Sequence, residues 1–167
     1  MTALRAAVPA DADALAGLHV TTWRETYAGI ATPEAMDQLD TARRLPWWQD
    51  TLAGRADRRA LLAEDATGPT GFTSFGAPGY DELAGLGEVK HLYVARRAQG
   101  TGLGRTLLAA ALAALKADGY RGAALVVVRQ NDRARAFYAR MGGTEGLAFT
   151  DPGPLWRSDN IVVSWTF

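Results

Sequence analysis

Apolar and polar positions change period several times along the 167-residue chain, and each change marks an element. Ala3 to Val8 is a short run closed by Pro9 and reads as a first strand. Asp11 follows as a helix cap, with Asp13 favourable in the first turn. Leu15, Leu18, Thr22 and Trp23 then recur at helical spacing to about Tyr27. Thr32 before Pro33 is a cap followed by proline at the first helical position, which predicts a short helix. Leu45, Trp48 and Leu52 mark another. From Arg59 the period shortens: Ala60–Ala63 is a short apolar run, Asp65–Pro69 a turn cluster, and Gly71–Phe75 alternates with period two, which predicts a hairpin.

Ala77–Gly87, rich in glycine and acids, is expected as a loop, and Glu88–Val94 as the next strand. The glycine-rich stretch Gln99–Gly104 leads into a helix carrying Leu103, Leu107, Leu108, Leu112 and Leu115, ended by Gly119. Ala123–Val128 is continuously apolar, the pattern of a strand buried on both faces. Asn131–Met141 is helical and closed by Gly142-Gly143. Thr144–Phe149 and Asn160–Phe167 are the last strands, with the Asp151–Pro154 loop between them. The order predicts an α/β protein with a mixed sheet flanked by helices, one domain over residues 1–167.

Composition narrows the chemistry. A chain of this length buries roughly two-thirds of its unfolded surface, enough for a self-sufficient core. Eighteen basic residues balance eighteen acidic ones, which argues against sequence-independent nucleic-acid binding. The absence of cysteine excludes disulfides, thiolate zinc sites and a cysteine nucleophile. His19 and His91 have no metal-ligand or triad spacing and read as structural or substrate-side, so no metal is expected. No run approaches the roughly 20 apolar residues of a membrane span, and Met1–Arg5 lack a signal-peptide core. A cytoplasmic protein without membrane or nucleic-acid partners is expected.

The most informative segment is the strand Val89–Val94 followed by Gln99-Gly100-Thr101-Gly102-Leu103-Gly104-Arg105. Glycines let a backbone approach a ligand closely, and a helix start offers unpaired N–H groups and a positive dipole end. Together they suit a phosphate, above all a pyrophosphate. The spacing fits neither Gly-x-x-x-x-Gly-Lys-Ser/Thr nor Gly-x-Gly-x-x-Gly. It is Gln-x-x-Gly-x-Gly, which resembles motif A of the GNAT superfamily of acetyl-CoA-dependent N-acetyltransferases. Asn131-Asp132-Arg133-Ala134-Arg135-Ala136-Phe137-Tyr138 resembles motif B of the same family, Asn-x-x-Ala-x-x-Phe-Tyr. The likeness extends to Arg5, Pro9–Asp13 and His19–Tyr27, and so over nearly the whole chain.

The resemblance implies a mostly antiparallel GNAT-like sheet and acetyl-CoA as co-substrate. It assigns CoA contacts to Leu92, Tyr93 and Val94, to Arg97, Gln99, Gly100, Thr101, Gly102, Leu103, Gly104 and Arg105, and to Asn131, Phe137 and Tyr138. It makes Glu88 the general base and Tyr138 the acid that protonates the departing thiolate, with a backbone N–H near Tyr93 or Val94 meeting the oxyanion. Simple alternation gives Glu88, Lys90 and Leu92 one facing and puts His91 out of phase, unless a bulge intervenes. The acceptor, a small-molecule or peptide amine, is expected near Trp23, Tyr27, Trp47, Trp48, Tyr80, Asp81, Glu82 and Trp156, whose aromatics and carboxylates suit a small cationic amine. A CoA-binding regulatory module without turnover is the alternative, and the resemblance admits a homodimer because many relatives pair.

Overall fold

A computed structural model describes the whole chain, Met1–Phe167. The elements in chain order are β1 (Ala3–Ala6), α1 (Ala12–Tyr27), α2 (Pro33–Gln38), α3 (Thr41–Thr51), β2 (Arg58–Asp65), β3 (Gly68–Gly76), β4 (Gly87–Val94), α4 (Leu103–Ala117), β5 (Gly122–Val128), α5 (Asp132–Arg140), β6 (Thr144–Asp151) and β7 (Ser158–Thr166). All seven strands join one sheet in the order β1-β2-β3-β4-β5-β7-β6. Every pairing is antiparallel except β4 with β5. The mixed, mostly antiparallel sheet expected from the sequence is therefore present.

Local chemistry sets most of the boundaries. Thr32 accepts the Ala35 N–H at the start of α2, and Asp40 accepts that of Arg43 at the start of α3. Asp11 behaves differently from its expected role as a helix cap. It ends a 3-10 turn, Pro9–Asp11, and makes no cap bond to α1. Its carboxylate takes the Val8 N–H at 2.8 Å and a forked pair of bonds from Arg5 at 2.7 and 2.9 Å. With Val8 engaged this way, β1 stops at Ala6, short of the expected Val8.

Two helical layers enclose the sheet. On one face Leu15 and Ala16 of α1 and Trp48 and Leu52 of α3 pack on Ala60, Leu62 and Phe72. On the other, Leu108, Ala111 and Leu115 of α4 cover Val89, Leu125, Val127 and Val163, and Tyr138 of α5 joins them. The second face of β5 is sealed from an unexpected source. Within the Ala77–Gly87 loop, Leu83 is fully buried against Ala124 and Val162. No helix is long and apolar enough to cross a membrane.

Two features of β4 shape the site. Ser74 of β3 pairs with His91 but Phe75 pairs with Val89, so Lys90 is an extra residue, a β-bulge. Beside it, β4 meets β5 only through Gly87–Ala123 and Glu88–Ala124. A bulge bends its strand and increases its twist. Beyond Glu88 the two strands diverge, and their facing edges have no strand partner.

Candidate active site

The divergence opens a cavity of about 500 Å³. One wall is Val89–Val94 of β4 and the other Leu125–Val127 of β5. Gln99, Gly100, Gly102, Gly104 and Arg105 close one end, and Asn131, Phe137 and Tyr138 of the α5 segment lie across it.

The glycine turn is built for a ligand. Gly100 and Gly102 have φ of 78° and 87°, the left-handed region that favours glycine. A Cβ at either would meet no protein atom within 4 Å, so the space beside both is open. Gly102 caps α4 without any side-chain bond, which leaves the first N–H groups of this helix available. Arg105, Arg133 and Arg140 are exposed, line the cavity and form no ion pair. Open space, unfilled helical N–H groups and nearby cations fit a pyrophosphate.

Gln99 holds the turn to the strand by donating from Nε2 to the Val94 carbonyl at 3.0 Å. Ala95 N–H donates to Thr70 on β3 at 2.8 Å. Antiparallel alternation therefore turns the backbone groups of Tyr93 and His91 toward β3, and those of Leu92 and Val94 toward the cleft. Asn131 caps α5, accepting the Ala134 N–H at 3.2 Å, and its side chain also reaches the Tyr27 phenol.

Three of the residues expected to touch CoA turn their side chains elsewhere, which leaves contact to their backbone N–H groups, that of Leu103 being the first of α4. Arg97 is spent on Asp65 at 2.5 Å and on the Gly68 and Pro69 carbonyls. Thr101 donates to Ala98 at 2.7 Å, and the Leu103 side chain is in a core cluster with Ala63 and Leu107. None of the three lines the cavity.

Glu88 is also outside it. Its carboxylate is buried, and the same oxygen accepts Gly79 N–H at 2.6 Å and Lys90 Nζ at 2.7 Å. It ties the loop before β4 to the bulge. The bulge also revises the facing expected from alternation. Leu92 packs toward α4, whereas His91 shares the α1–α3 face with Lys90 and Tyr93. Lys90 and His91 both line the cavity. An extra residue in one strand leaves no periodicity signal, so the sequence marks His91 only as structural or substrate-side and gives no reason to place Lys90 at the cavity.

Beneath α3, the His91 ring lies 4.5 Å from that of His19 and 4.7 Å from that of Trp47, and Nδ1 bonds Ser74 at 2.7 Å. Burial, with Arg44 and Lys90 nearby, pushes His91 down to about 3, so it is neutral at physiological pH. Burial also holds His19 well below its ordinary value. Tyr27, Tyr93 and Tyr138 converge on the cavity. Burial raises all three phenols, and the neighbouring phenol Tyr27 raises Tyr93 and Tyr138 further. Each therefore carries its proton at neutral pH.

The acceptor-side expectation holds only in part. Tyr27 lines the cavity, and Trp156 packs on it at 6.1 Å. Trp23 and Trp48 are core residues. Asp81 and Glu82 are exposed on the loop, and Tyr80 donates to Asp151. The charged groups acting on His91 are instead two cations, Arg44 and Lys90.

Comparison with known proteins agrees with this geometry. The chain is 28% identical over 153 residues to a probable N-acetyltransferase of Mycobacterium tuberculosis, covering 88% of this chain and 83% of that one. Its fold is similar to the PaiA N-acetyltransferase of Thermoplasma acidophilum in complex with coenzyme A, with TM-score 0.77, 21% identity and coverage of 100% and 99% of the two chains. It is also similar to YncA of Salmonella typhimurium, a putative acetyltransferase with its cofactor acetyl-CoA, with TM-score 0.74, 22% identity and coverage of 99% and 94%. Residues 18–143 match the family described as Acetyltransferase (GNAT) family, and the chain belongs to it.

Proposed function

We propose that this protein moves the acetyl group of acetyl-CoA to a primary amine by direct transfer between the two bound substrates. The observation that carries this reading is the parting of β4 and β5 between an uncapped glycine helix start and Tyr138. The helix start takes the pyrophosphate, and the unpaired strand edges take the amide-bearing arm much as an added strand would. Gly100, Gly102, Gly104, Gln99 and Asn131 hold the nucleotide end and arm, with Leu92, Tyr93, Val94 and Phe137 along the wall.

In the transfer, the amine nitrogen bonds to the acetyl carbon and the carbon–sulfur bond breaks. Tyr138, neutral and facing the cavity, gives its proton to the leaving sulfur. The N–H groups of Leu92 and Val94 are the donors for the acetyl oxygen as charge gathers there. For the amine proton, His91 replaces Glu88 in our reading: the amine enters in its neutral form, and His91, a weak base, takes the proton once bonding to the acetyl carbon has made that nitrogen acidic. With Nδ1–H donating to Ser74, Nε2 presents a lone pair on a ring that lines the cavity. Glu88 instead serves the fold through Gly79 and Lys90.

The test is thiol release from acetyl-CoA across a panel of amines and amino-terminal peptides, beside calorimetric titration of acetyl-CoA. Binding with turnover on one class supports the reading. Binding without release on any acceptor replaces it with a CoA-binding module, and no binding overturns both.

A further inference from the structure

Four arginines of this chain are half-buried: Arg5, Arg44, Arg58 and Arg135. Three of them are paired with carboxylates, Arg5 with Asp11 and Glu64, Arg58 with Asp50, and Arg135 with Glu145. Arg44 is paired with nothing. Its guanidinium forms no ion pair and no hydrogen bond within the protein, and its Nε is buried without a partner. A cation withdrawn from water without an anion is costly, and such cations are ordinarily paired.

Its position gives that cost a use. Arg44 stands in the first turn of α3, one turn before Trp47 and Trp48, whose rings lie 4.7 and 6.1 Å from that of His91. His91 and Tyr93 line the cavity; Arg44 is not itself part of that lining, and its Nη groups, unlike Nε, keep solvent access. None of the groups acting on Arg44 is a carboxylate. A guanidinium matches a carboxylate with two parallel N–H bonds, a geometry no ammonium offers.

We propose that Arg44 receives a carboxylate of the acceptor, so that the substrate class is an amine carrying its own carboxylate, of the free amino acid kind. This rests on the acetyl-transfer reading above and specifies the acceptor of that site. The amine then lies toward His91 and the carboxylate toward α3. Neutralising Arg44 also removes one of the two cations that hold His91 low, so acceptor binding makes the proton acceptor more basic.

The experiment compares matched acceptors: amino acids, their amides and the corresponding decarboxylated amines, each with saturating acetyl-CoA. The expected result is that the acids exceed their amides and amines in kcat/KM by about 10- to 100-fold, the worth of a charged hydrogen-bonded contact. R44Q is expected to bring kcat/KM for the acids down to that for the amides, the loss falling on KM, and R44K to restore part of the preference. The melting temperature of R44Q should match or exceed that of the wild type, because no protein bond is lost.

Equal use of acids and amides by the wild-type enzyme overturns the proposal, as does an undiminished preference in R44Q. A marked fall in melting temperature for both R44Q and R44K makes Arg44 a structural residue and also overturns it. A second readout is independent of turnover: calorimetry of an N-acetyl amino acid and its amide against CoA-saturated protein. A preference for the acid that R44Q removes supports the Arg44 site even where no thiol is released, and no preference overturns it. Failure of the transfer reading is seen separately, as acetyl-CoA that does not bind or is not consumed with any acceptor.

Discussion

Exchanging Gly102 for glutamate puts a negative charge where the pyrophosphate is proposed to sit, at a position where the fold tolerates a side chain. The folding cost is set by the backbone. At φ of 87° an L-residue loses about 1–2 kcal/mol against glycine. No protein atom lies within 4 Å of the added Cβ, so no steric penalty adds to it. For a chain of this size each kcal/mol lowers the melting temperature by about 2–4 °C, so G102E should melt about 2–8 °C lower and remain folded. The binding cost is electrostatic. A carboxylate about 5 Å from a phosphate charge is repelled by about 1–3 kcal/mol, taking an effective dielectric between that of water and that of a protein surface. Two phosphate charges then weaken acetyl-CoA by at least about 30-fold.

Calorimetric titration measures this directly, and G102A is the control that carries the backbone strain without the charge. G102A should lose less than about a tenth of what G102E loses. The G102E deficit should also shrink as salt rises, because screening shortens the reach of exposed charges. An acetyl-CoA affinity for G102E within threefold of wild type would refute the phosphate assignment. Equal losses for G102A and G102E would refute the electrostatic reasoning and leave only shape.

Y138F keeps the ring that packs in the core and removes the proton, so turnover should fall about 100-fold or more while calorimetry gives unchanged acetyl-CoA affinity; equal turnover removes Tyr138 as the acid. H91N should lower kcat/KM by about 100-fold, whereas E88Q should act mainly on the melting temperature by weakening a buried ion pair. A loss of kcat in E88Q at unchanged melting temperature would return the proton-accepting role to Glu88. The buried histidines give stability a pH dependence of definite sign. Their folded values are lowered, so this contribution is complete above the unfolded value near 6.5 and is lost as pH falls toward the folded one, about 3 for His91. Urea melts between pH 6.5 and 4 should show stability falling by about 1.4 kcal/mol per pH unit for each histidine, and H91N should remove one histidine's share. An unchanged slope in H91N would show that His91 titrates in the folded protein as it does unfolded.

The parts of this protein legible in the sequence are those encoded by neighbouring residues. The turn Gln99–Gly104 reads directly because glycine at φ of 78° and 87° is a local backbone requirement. The helix with Leu107, Leu108 and Leu115 and the strand Ala123–Val128 read from their periods, and all but Val126, which lines the cavity, are buried as expected. What failed to read depends on partners far apart in the chain. Arg97 looks like a phosphate ligand until the hairpin turn at Asp65 folds beside it and takes it. Nothing in the sequence around Glu88 announces that one of its oxygens accepts from Gly79 and Lys90. Arg44 differs from the other half-buried arginines only in what does not come near it, which no sequence pattern expresses.

The bulge at Lys90 links these failures. One extra residue turns His91 onto the face with Tyr93 and sends Leu92 to the other, reversing the order that alternation predicts. It bends β4 where pairing with β5 ends, at Glu88 and Ala124. Lys90 stays on the side of Glu88 and pairs with it, so the acid nearest the divergence is neutralised. Had β4 stayed regular, His91 would face α4, the Glu88–Lys90–Leu92 side would face the cleft, and β5 would be free to pair along its length. The cleft and the identity of the group that faces the amine thus share one cause. A change that restored regular pairing through Val89–His91 would remove both together.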